Sequence, residues 1–259
     1  MVAIEAVNEV ALRAGEVVLR HYRARDTWVK AKADGSPVTG VDLAAEAIIR
    51  DGLLRLDGTI SYLSEEHELP TYETRRAWSR YWLVDPLDGT KEFINRTDEF
   101  TVNIAMIEHG EPVLGVVVVP ASNLLYYARA GEGAWKQEGD GTPQRLRSAL
   151  SDPAEPLRIL ESRSHPSPAL ETFLEQFTIA ERVKAGSSLK FCLVADGRAD
   201  IYPRLGPTME WDVAAGDCVY RNSGYPEPHP GTLRYNKPSL RNGNFVVGLA
   251  SGGYELPDG

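Results

Sequence analysis

The chain has 259 residues, of which 42% are hydrophobic and 25% charged. This composition is typical of a folded globular protein and excludes disordered and collagen-like classes. The longest apolar run, residues 113–119, is far shorter than the roughly 20 residues that a membrane-spanning helix needs. Glutamates also interrupt the N-terminal segment where a secretory signal would need an apolar centre, so we expect a cytoplasmic protein with no transmembrane segment.

The charge balance is acidic, with 28 Lys and Arg against 37 Asp and Glu, a net charge of −9. Such a field disfavours a nucleic-acid polymer or an anionic membrane as partner, although a few bound cations at one site still admit a small anion. Cys192 and Cys218 belong to no CxxC pair or Cys/His cluster, which argues against disulfides and zinc.

The N-terminal half begins with apolar positions at helical spacing between residues 3 and 23, which predict an amphipathic helix. A second helix is predicted from Thr39 to about Leu56, and Thr39 with Asp42 has the form of a capping box. Turn residues then separate short predicted strands, of which those within 101–129 suggest an antiparallel meander. The predicted strands are 60–63, 82–85, 101–108, 113–119 and 124–129.

The pattern changes after a turn-rich segment at 138–144. Strands are predicted at 157–161, 201–204 and 244–249, and helices at 168–177, 189–195 and 211–222. Alternating strands and helices indicate a layered α/β half. We place the boundary within 138–152, which gives an N-terminal α+β lobe, 1–145, and a C-terminal α/β lobe, 146–259.

One segment, residues 82–90, joins an apolar strand to two carboxylates. Asp85 is predicted at the strand end, and a turn through Pro86 then allows Asp88 to point to the same side. Gly89 permits a sharp turn or a close approach to a ligand, and Thr90 can open a helix whose free N–H groups attract an anion. The segment therefore predicts a place where metal and phosphate meet.

Further carboxylates stand at Glu65, Glu66, Glu210 and Asp212, again after a short strand or at the start of a helix. None has a His or Cys at ligand spacing. All-oxygen coordination favours a hard cation, so Mg²⁺ is the expected metal and Mn²⁺ a substitute.

Each feature taken alone also has an ordinary structural explanation. An Asp-Pro at a strand end is common in turns, Glu65 and Glu66 fit a solvated loop, and Asp212 fits a helix start. For Asp42 the capping role competes directly with a catalytic one. Their joint occurrence after short strands favours the metal site.

These residues resemble the inositol monophosphatase family of Mg²⁺-dependent, lithium-sensitive phosphatases. Its hallmarks are a Glu-Glu pair, then Asp-Pro-Leu-Asp-Gly-Thr, then Trp-Asp-x-Ala-Ala-Gly, which stand here in order across essentially the whole chain. They occupy residues 65–66, 85–90 and 211–216. The resemblance implies the layered αβαβα sandwich, an α+β or α/β fold, of inositol monophosphatase and fructose bisphosphatase.

The resemblance narrows to the 3′(2′),5′-bisphosphate nucleotidase branch. Inositol monophosphatases usually have Thr-Asn-Phe where this chain has Lys-Glu-Phe at 91–93. Other segments shared with that branch are 162–165, 186–192 and 202–208. This branch implies hydrolysis of the 3′-phosphate of adenosine 3′,5′-bisphosphate to AMP, with its sulfated analogue PAPS as a second substrate, in sulfur assimilation.

The resemblance also implies roles for residues at matching positions. Two or three Mg²⁺ ions would be held by Glu65, Asp85, the Leu87 carbonyl, Asp88 and Asp212, with Asp85 bridging two ions. Thr90, hydrogen-bonded to Asp42, would orient and deprotonate the attacking water, and Glu65 is counted with them as catalytic. The remaining substrate contacts are predicted from the same motifs, and Lys190 or Arg204 would bind the second phosphate. The alternative for Lys190 is a solvated helix residue, and the alternative for Arg204 is an ordinary ion-pair partner. The predicted substrate-binding residues are Glu65, Leu87, Asp88, Gly89, Thr90, Ser188, Lys190, Arg204 and Asp212, with Ser187 in the same motif.

Three other functions are compatible with parts of the pattern. An inositol or sugar phosphate phosphatase would use the same metals. A haloacid dehalogenase-type phosphatase also places Asp and Gly-Thr after a strand, but it has one residue between its carboxylates, whereas two separate Asp85 from Asp88. A non-catalytic nucleotide sensor should have lost a metal ligand, and none is missing. Either a monomer or a homodimer is compatible with the sequence.

Overall fold

The structure, a computed structural model, describes residues 2–24, 29–31, 37–164, 167–224, 227, 229–231, 233–250 and 254–257. Among the helices in these ranges, none is long and apolar enough to cross a membrane. The helices are α1 Ile4–Ala24, α2 Gly40–Leu56, α3 Tyr72–Arg75, α4 Thr90–Asn95, α5 Pro168–Leu174, α6 Leu189–Ala195 and α7 Glu210–Ser223. The described residues also contain a 3₁₀ turn, Pro120–Ser122. The strands are β1 Val29–Ala31, β2 Pro37–Thr39, β3 Ser61–Ser64, β4 Arg80–Asp88, β5 Thr101–Glu108, β6 Glu111–Val119, β7 Leu124–Arg129, β8 Gly133–Glu138, β9 Gln144–Arg145, β10 Leu157–Ser162, β11 Ile179–Ala185, β12 Tyr202–Arg204, β13 Thr208–Met209, β14 Arg241–Asn242 and β15 Phe245–Val247.

A seven-stranded sheet in the order β3-β4-β5-β6-β7-β8-β9 forms the centre of the N-terminal half. Only β3 and β4 run parallel, and the other neighbours are antiparallel. The predicted meander is therefore confirmed and is longer than expected. Strand β8 was missed because its second half is polar and half-buried or exposed, which leaves no apolar alternation to detect.

Side chains of this sheet alternate between two hydrophobic clusters, as the two-residue period of a strand requires. Trp82 and Val84 face α1 and α2. Tyr81 and Leu83 face the other side, where α6 and α7 pack. The predicted amphipathic helix at 3–23 corresponds to α1, whose apolar stripe covers the first face of the sheet.

The C-terminal half adds a second strand layer and an outer helix. Strands β10 and β11 are parallel, a bridge between Ile159 and Ile201 links β10 to the start of β12, and β12 pairs antiparallel with β15. Helix α5 packs on the outer side of this layer through Phe173 and Leu174. The order helix, sheet, helix, strands, helix confirms the predicted layered fold.

Some predictions differ from the structure in this half and at the site. Helix α5 ends at Leu174 rather than 177, and β11 was not predicted because its exposed residues include three charged ones and its apolar residues do not alternate with them. Strand β4 continues through Asp88 instead of ending at Asp85. The division into lobes 1–145 and 146–259 stays a prediction, since α7 from the second lobe packs on the sheet of the first.

Candidate active site

An irregularity in β4 sets the direction of its two carboxylates. Asp85 pairs with Asn103 of β5, whereas Asp88 pairs with Thr101, so β4 contains one residue more than its partner between these points. In a regular strand, side chains three positions apart point to opposite faces. The extra residue of the bulge reverses that parity, which lets Asp85 and Asp88 line the same cavity.

The chain leaves β4 through Gly89, which has a positive φ of 86°. A Cβ atom here would lie 3.3 Å from the Glu99 carbonyl and from the Phe100 Cα, so the position favours glycine for both conformation and space. Thr90 then begins α4, and its hydroxyl donates to the Leu87 carbonyl at 3.3 Å. The predicted helix start after the double-Asp motif is confirmed.

Three carboxylates from three different elements converge beside this turn. Within the described part of the chain, ligand oxygens of Glu65, Asp85 and Asp212 all lie within 4.8 Å of one another. Glu65 follows β3, and its N–H donates to the Val84 carbonyl of parallel β4 at 3.2 Å. Asp212 lies in the first turn of α7, where its Oδ2 accepts a hydrogen bond from the Met209 N–H at 2.8 Å.

Asp88 lines the same cavity, but among the described residues it does not belong to that group of three carboxylates. Its Oδ2 accepts hydrogen bonds from the Ser188 backbone N–H at 2.6 Å and from the Asn103 side chain at 3.4 Å. Because Ser188 belongs to the C-terminal half, the first of these bonds joins the two halves of the chain at the site.

Burial of this cluster away from water disfavours the ionised form of its carboxylates. Desolvation raises the pKa of Asp88 to about 6, against the opposing effect of the Lys190 charge and the Ser188 hydrogen bond. Desolvation, together with the negative charge of Asp88, also raises the pKa of Asp212 well above its ordinary value. Enclosed carboxylates in such numbers are stabilised by a cation.

The donor set fits a hard divalent cation. The grouped atoms are carboxylate oxygens, and no histidine or cysteine takes part in the group among the residues described. Oxygen-only sites suit Mg²⁺ and Mn²⁺ and disfavour zinc. The residues that would hold such ions are Glu65, Asp85 and Asp212, with Asp88 and the Leu87 carbonyl beside them.

The carboxylates line a cavity of about 730 Å³, and two cationic side chains, Lys190 and Arg204, line it as well. Lys190 is only 3% exposed, which excludes the alternative of a solvated surface lysine. Its Nζ donates to the Ser187 carbonyl at 2.7 Å and lies 5.3 Å from the centre of the Tyr202 ring. Burial lowers the pKa of Lys190 to about 8, although the negative charge of Asp88 opposes this decrease.

Arg204 lines the cavity as well, and its Nη2 donates to the Pro207 carbonyl at 2.8 Å. Its Nε is buried and has no hydrogen-bond partner among the described residues. The cavity therefore combines a carboxylate cluster that suits divalent cations with two cationic side chains, a combination that suits a substrate with two anionic groups.

The two serines of the 186–192 motif are placed differently. Ser187 has a φ of 46° and lines the cavity. Ser188 is 1% exposed, and its hydroxyl would lie 2.7 Å from a Cβ added at Gly216 of α7. Its backbone N–H holds Asp88, so its predicted substrate contact stays a prediction, and Ser187 is the serine of this pair at the cavity wall.

Asp42, the predicted partner of Thr90, is 2% exposed in the first turn of α2. The side chain of Thr39, the other half of the predicted capping box, lies outside the described residues. Both the capping role of Asp42 and its bond to Thr90 stay predictions.

Sequence reasoning missed Asn103, which is 1% exposed and contacts Asp88. The available signal was one amide between Val102 and Ile104 in an otherwise apolar strand. A buried amide in such a setting needs a hydrogen-bond partner. Tyr202, beside Lys190, opens the 202–208 segment shared with the nucleotidase branch, but the tyrosine itself was assigned no role because a tyrosine in a strand is ordinary.

The sequence profile of the inositol monophosphatase family matches residues 2–248. The chain therefore belongs to the inositol monophosphatase family, in agreement with the resemblance seen in its motifs.

Two curated relatives belong to the nucleotidase branch of that family. The chain is 48% identical over 222 residues to the 3′(2′),5′-bisphosphate nucleotidase CysQ of Escherichia coli O157:H7, a match that covers 85% of this chain and 88% of that protein. It is 40% identical over 253 residues to CysQ of Aggregatibacter actinomycetemcomitans, covering 95% and 92%.

Solved structures agree with this placement. CysQ from Bacteroides thetaiotaomicron superposes with a TM-score of 0.76 at 38% identity, covering 95% of this chain and 96% of that one. An inositol monophosphatase from Thermotoga maritima gives a TM-score of 0.72 over 93% of this chain and 89% of that one, and at 23% identity it supports the fold alone.

Proposed function

We propose that this protein is a Mg²⁺-dependent 3′(2′),5′-bisphosphate nucleotidase that hydrolyses the 3′-phosphate of adenosine 3′,5′-bisphosphate to AMP and phosphate. The observation that carries the proposal is one cavity lined both by the Glu65, Asp85 and Asp212 cluster and by Lys190 and Arg204. The 48% identity to a CysQ nucleotidase supports the choice of substrate. PAPS, a place in sulfur assimilation and a cytoplasmic location are parts of the same proposal.

The carboxylate cluster, with its bound ions, would act on the phosphate that is cleaved. Mg²⁺ held by the carboxylates and the Leu87 carbonyl would supply Lewis-acid stabilisation of phosphoryl charge and activation of water. Thr90 would orient the attacking water through its hydroxyl and pass the proton to Asp42. The N–H groups at Gly89 and Thr90 would contact the phosphoryl oxygens, because positioning and charge neutralisation supply most of the catalysis of phosphoryl transfer.

Lys190 and Arg204 would bind the phosphate that is retained. Both line the cavity, Lys190 is buried, and the Nε of Arg204 is buried without a hydrogen-bond partner among the described residues. A second phosphate placed there gains charge-assisted hydrogen bonds, which are stronger than neutral ones. A monophosphate would leave these two cations without a phosphate partner, so they favour a bisphosphate.

The first experiment compares substrates at equal concentration with purified protein. We expect phosphate release from the bisphosphate nucleotide with added Mg²⁺ and none with EDTA. Faster release from inositol 1-phosphate or fructose 1,6-bisphosphate would contradict the nucleotidase proposal and favour the alternative phosphatases.

The second experiment removes one phosphate from the substrate and one charge from the protein. Replacing Lys190 by Met should lower kcat/KM for the bisphosphate by about 10- to 100-fold, the value of one or two charge-assisted hydrogen bonds, and should change 3′-AMP turnover much less. Lys136→Met is a matched control, because Lys136 also lies near a tyrosine ring, 5.9 Å from the centre of Tyr126, but outside the cavity. Equal losses on both substrates would contradict the assignment of the second phosphate.

A further inference from the structure

Glu46 is a buried carboxylate on α2 that has no role in the proposed chemistry. It is 4% exposed and lies four residues after Asp42, so both side chains project from the same face of the helix. A buried carboxylate is retained only where hydrogen bonds or charges compensate its desolvation.

The contacts of Glu46 are concentrated on β3 and the turn after it. Its Oε2 accepts hydrogen bonds from the Ser64 hydroxyl at 2.8 Å and from the Tyr62 hydroxyl at 3.0 Å. Its Oε1 lies 3.3 Å from Nε2 of His67. One carboxylate thus accepts hydrogen bonds from two side chains of a single short segment and lies against a third.

Two of those side chains flank the metal-binding Glu65. Ser64 precedes it, and His67 follows two positions later with its N–H bonded to the Ser64 carbonyl at 3.3 Å. The Glu65 N–H is fixed in turn on the Val84 carbonyl of β4. The backbone is therefore fixed on both sides of Glu65, which sets the position from which its side chain reaches towards Asp85.

We propose that Glu46 is a positioning residue that holds Glu65 in the metal-binding arrangement through its hydrogen bonds to Ser64 and Tyr62, and that it couples this turn to the helix carrying Asp42. The inference rests on the proposed metal-dependent function. Groups that orient metal ligands typically contribute 10- to 100-fold in metal affinity or activity.

The test measures metal binding directly as well as activity. Mn²⁺ binding to the full-length protein is followed by electron paramagnetic resonance, and the Mg²⁺ concentration for half-maximal activity is determined in parallel. For Glu46→Ala we expect about 10- to 100-fold weaker binding of both ions, with most of the kcat recovered at saturating Mg²⁺. Glu46→Gln, which keeps an oxygen for both hydroxyls, should restore most of the affinity.

A smaller pair of variants covers the case in which Glu46→Ala fails to fold. Ser64→Ala removes one bond to Glu46 and should weaken Mn²⁺ binding. Ser148→Ala removes a comparable hydroxyl, bonded to Ser223 at 2.6 Å and to His229 at 2.9 Å, and should leave binding unchanged.

The outcomes separate the two proposals. Lower melting temperatures in EDTA without any change in Mn²⁺ affinity would show a merely structural role and overturn the inference. A wild-type protein that binds no Mn²⁺ and shows no Mg²⁺ dependence would overturn the proposed function itself, and the inference with it.

Discussion

Replacing Asp88 by Asn should stabilise the metal-free protein while abolishing Mg²⁺-dependent activity. Asn keeps a carbonyl oxygen that can accept from the Ser188 N–H, as Oδ2 of Asp88 does at 2.6 Å. The charge, however, is removed from a place where desolvation disfavours it. Stability and activity therefore change in opposite directions at this position.

The magnitude follows from the pKa of Asp88, which desolvation raises from 3.8 to about 6. Each pKa unit corresponds to about 1.4 kcal/mol, so the ionised carboxylate costs the folded state about 3 kcal/mol. The folded pKa is the higher one, so the stability associated with the protonated form is complete below about 4 and is lost as the pH rises through 6. For a chain of this size, 3 kcal/mol corresponds to a rise of about 6 to 12 °C in Tm.

The assay is thermal unfolding of wild-type and Asp88→Asn protein in EDTA at pH 5 and pH 8. We expect the variant to have a higher melting temperature than the wild type at pH 8 and a smaller advantage at pH 5. Saturating Mg²⁺ should abolish the difference because it stabilises the wild type. If the variant is no more stable at pH 8 in EDTA, or if the difference does not depend on pH, the reasoning about a desolvated carboxylate is wrong.

Three further predictions concern the rest of the molecule. Gly115→Ala should destabilise the fold by about 1 to 3 kcal/mol in urea unfolding, because its Cβ would lie 2.5 Å from the Ala215 carbonyl; an unchanged midpoint would refute this close approach. The Arg158 hydrogen bonds lower the pKa of Asp200, so the stability they contribute is present above its ordinary pKa and lost as the pH falls below it. In Asp200→Asn the urea midpoint should therefore decrease less between pH 5 and pH 3 than it does in the wild type. An equally large decrease in the variant would contradict this. Both cysteines are buried and free, so a thiol reagent should modify them only on unfolding, whereas rapid labelling of the native protein would disagree with the packing.

Local patterns determined most of the regular structure. Helical spacing predicted α1 to within one residue at each end, and the segment 189–195, predicted as part of a helix, is α6. Patterns failed where an element is held only by distant partners. Strand β11, with its polar exposed side, exists because it pairs with β10, and no residue near it in the chain signals that pairing.

The site divides in the same way. The sequence by itself determined the ligand chemistry and the turn at Gly89, because the 85–90 segment contains two carboxylates, a glycine and a helix start in one local unit. Only the tertiary structure decided that Glu65 and Asp212 approach Asp85 within 4.8 Å, and that Asn103 supports Asp88 from the neighbouring strand. These contacts depend on strand register, on the bulge in β4 and on the packing of α7, which arise from the simultaneous burial of residues far apart in the chain.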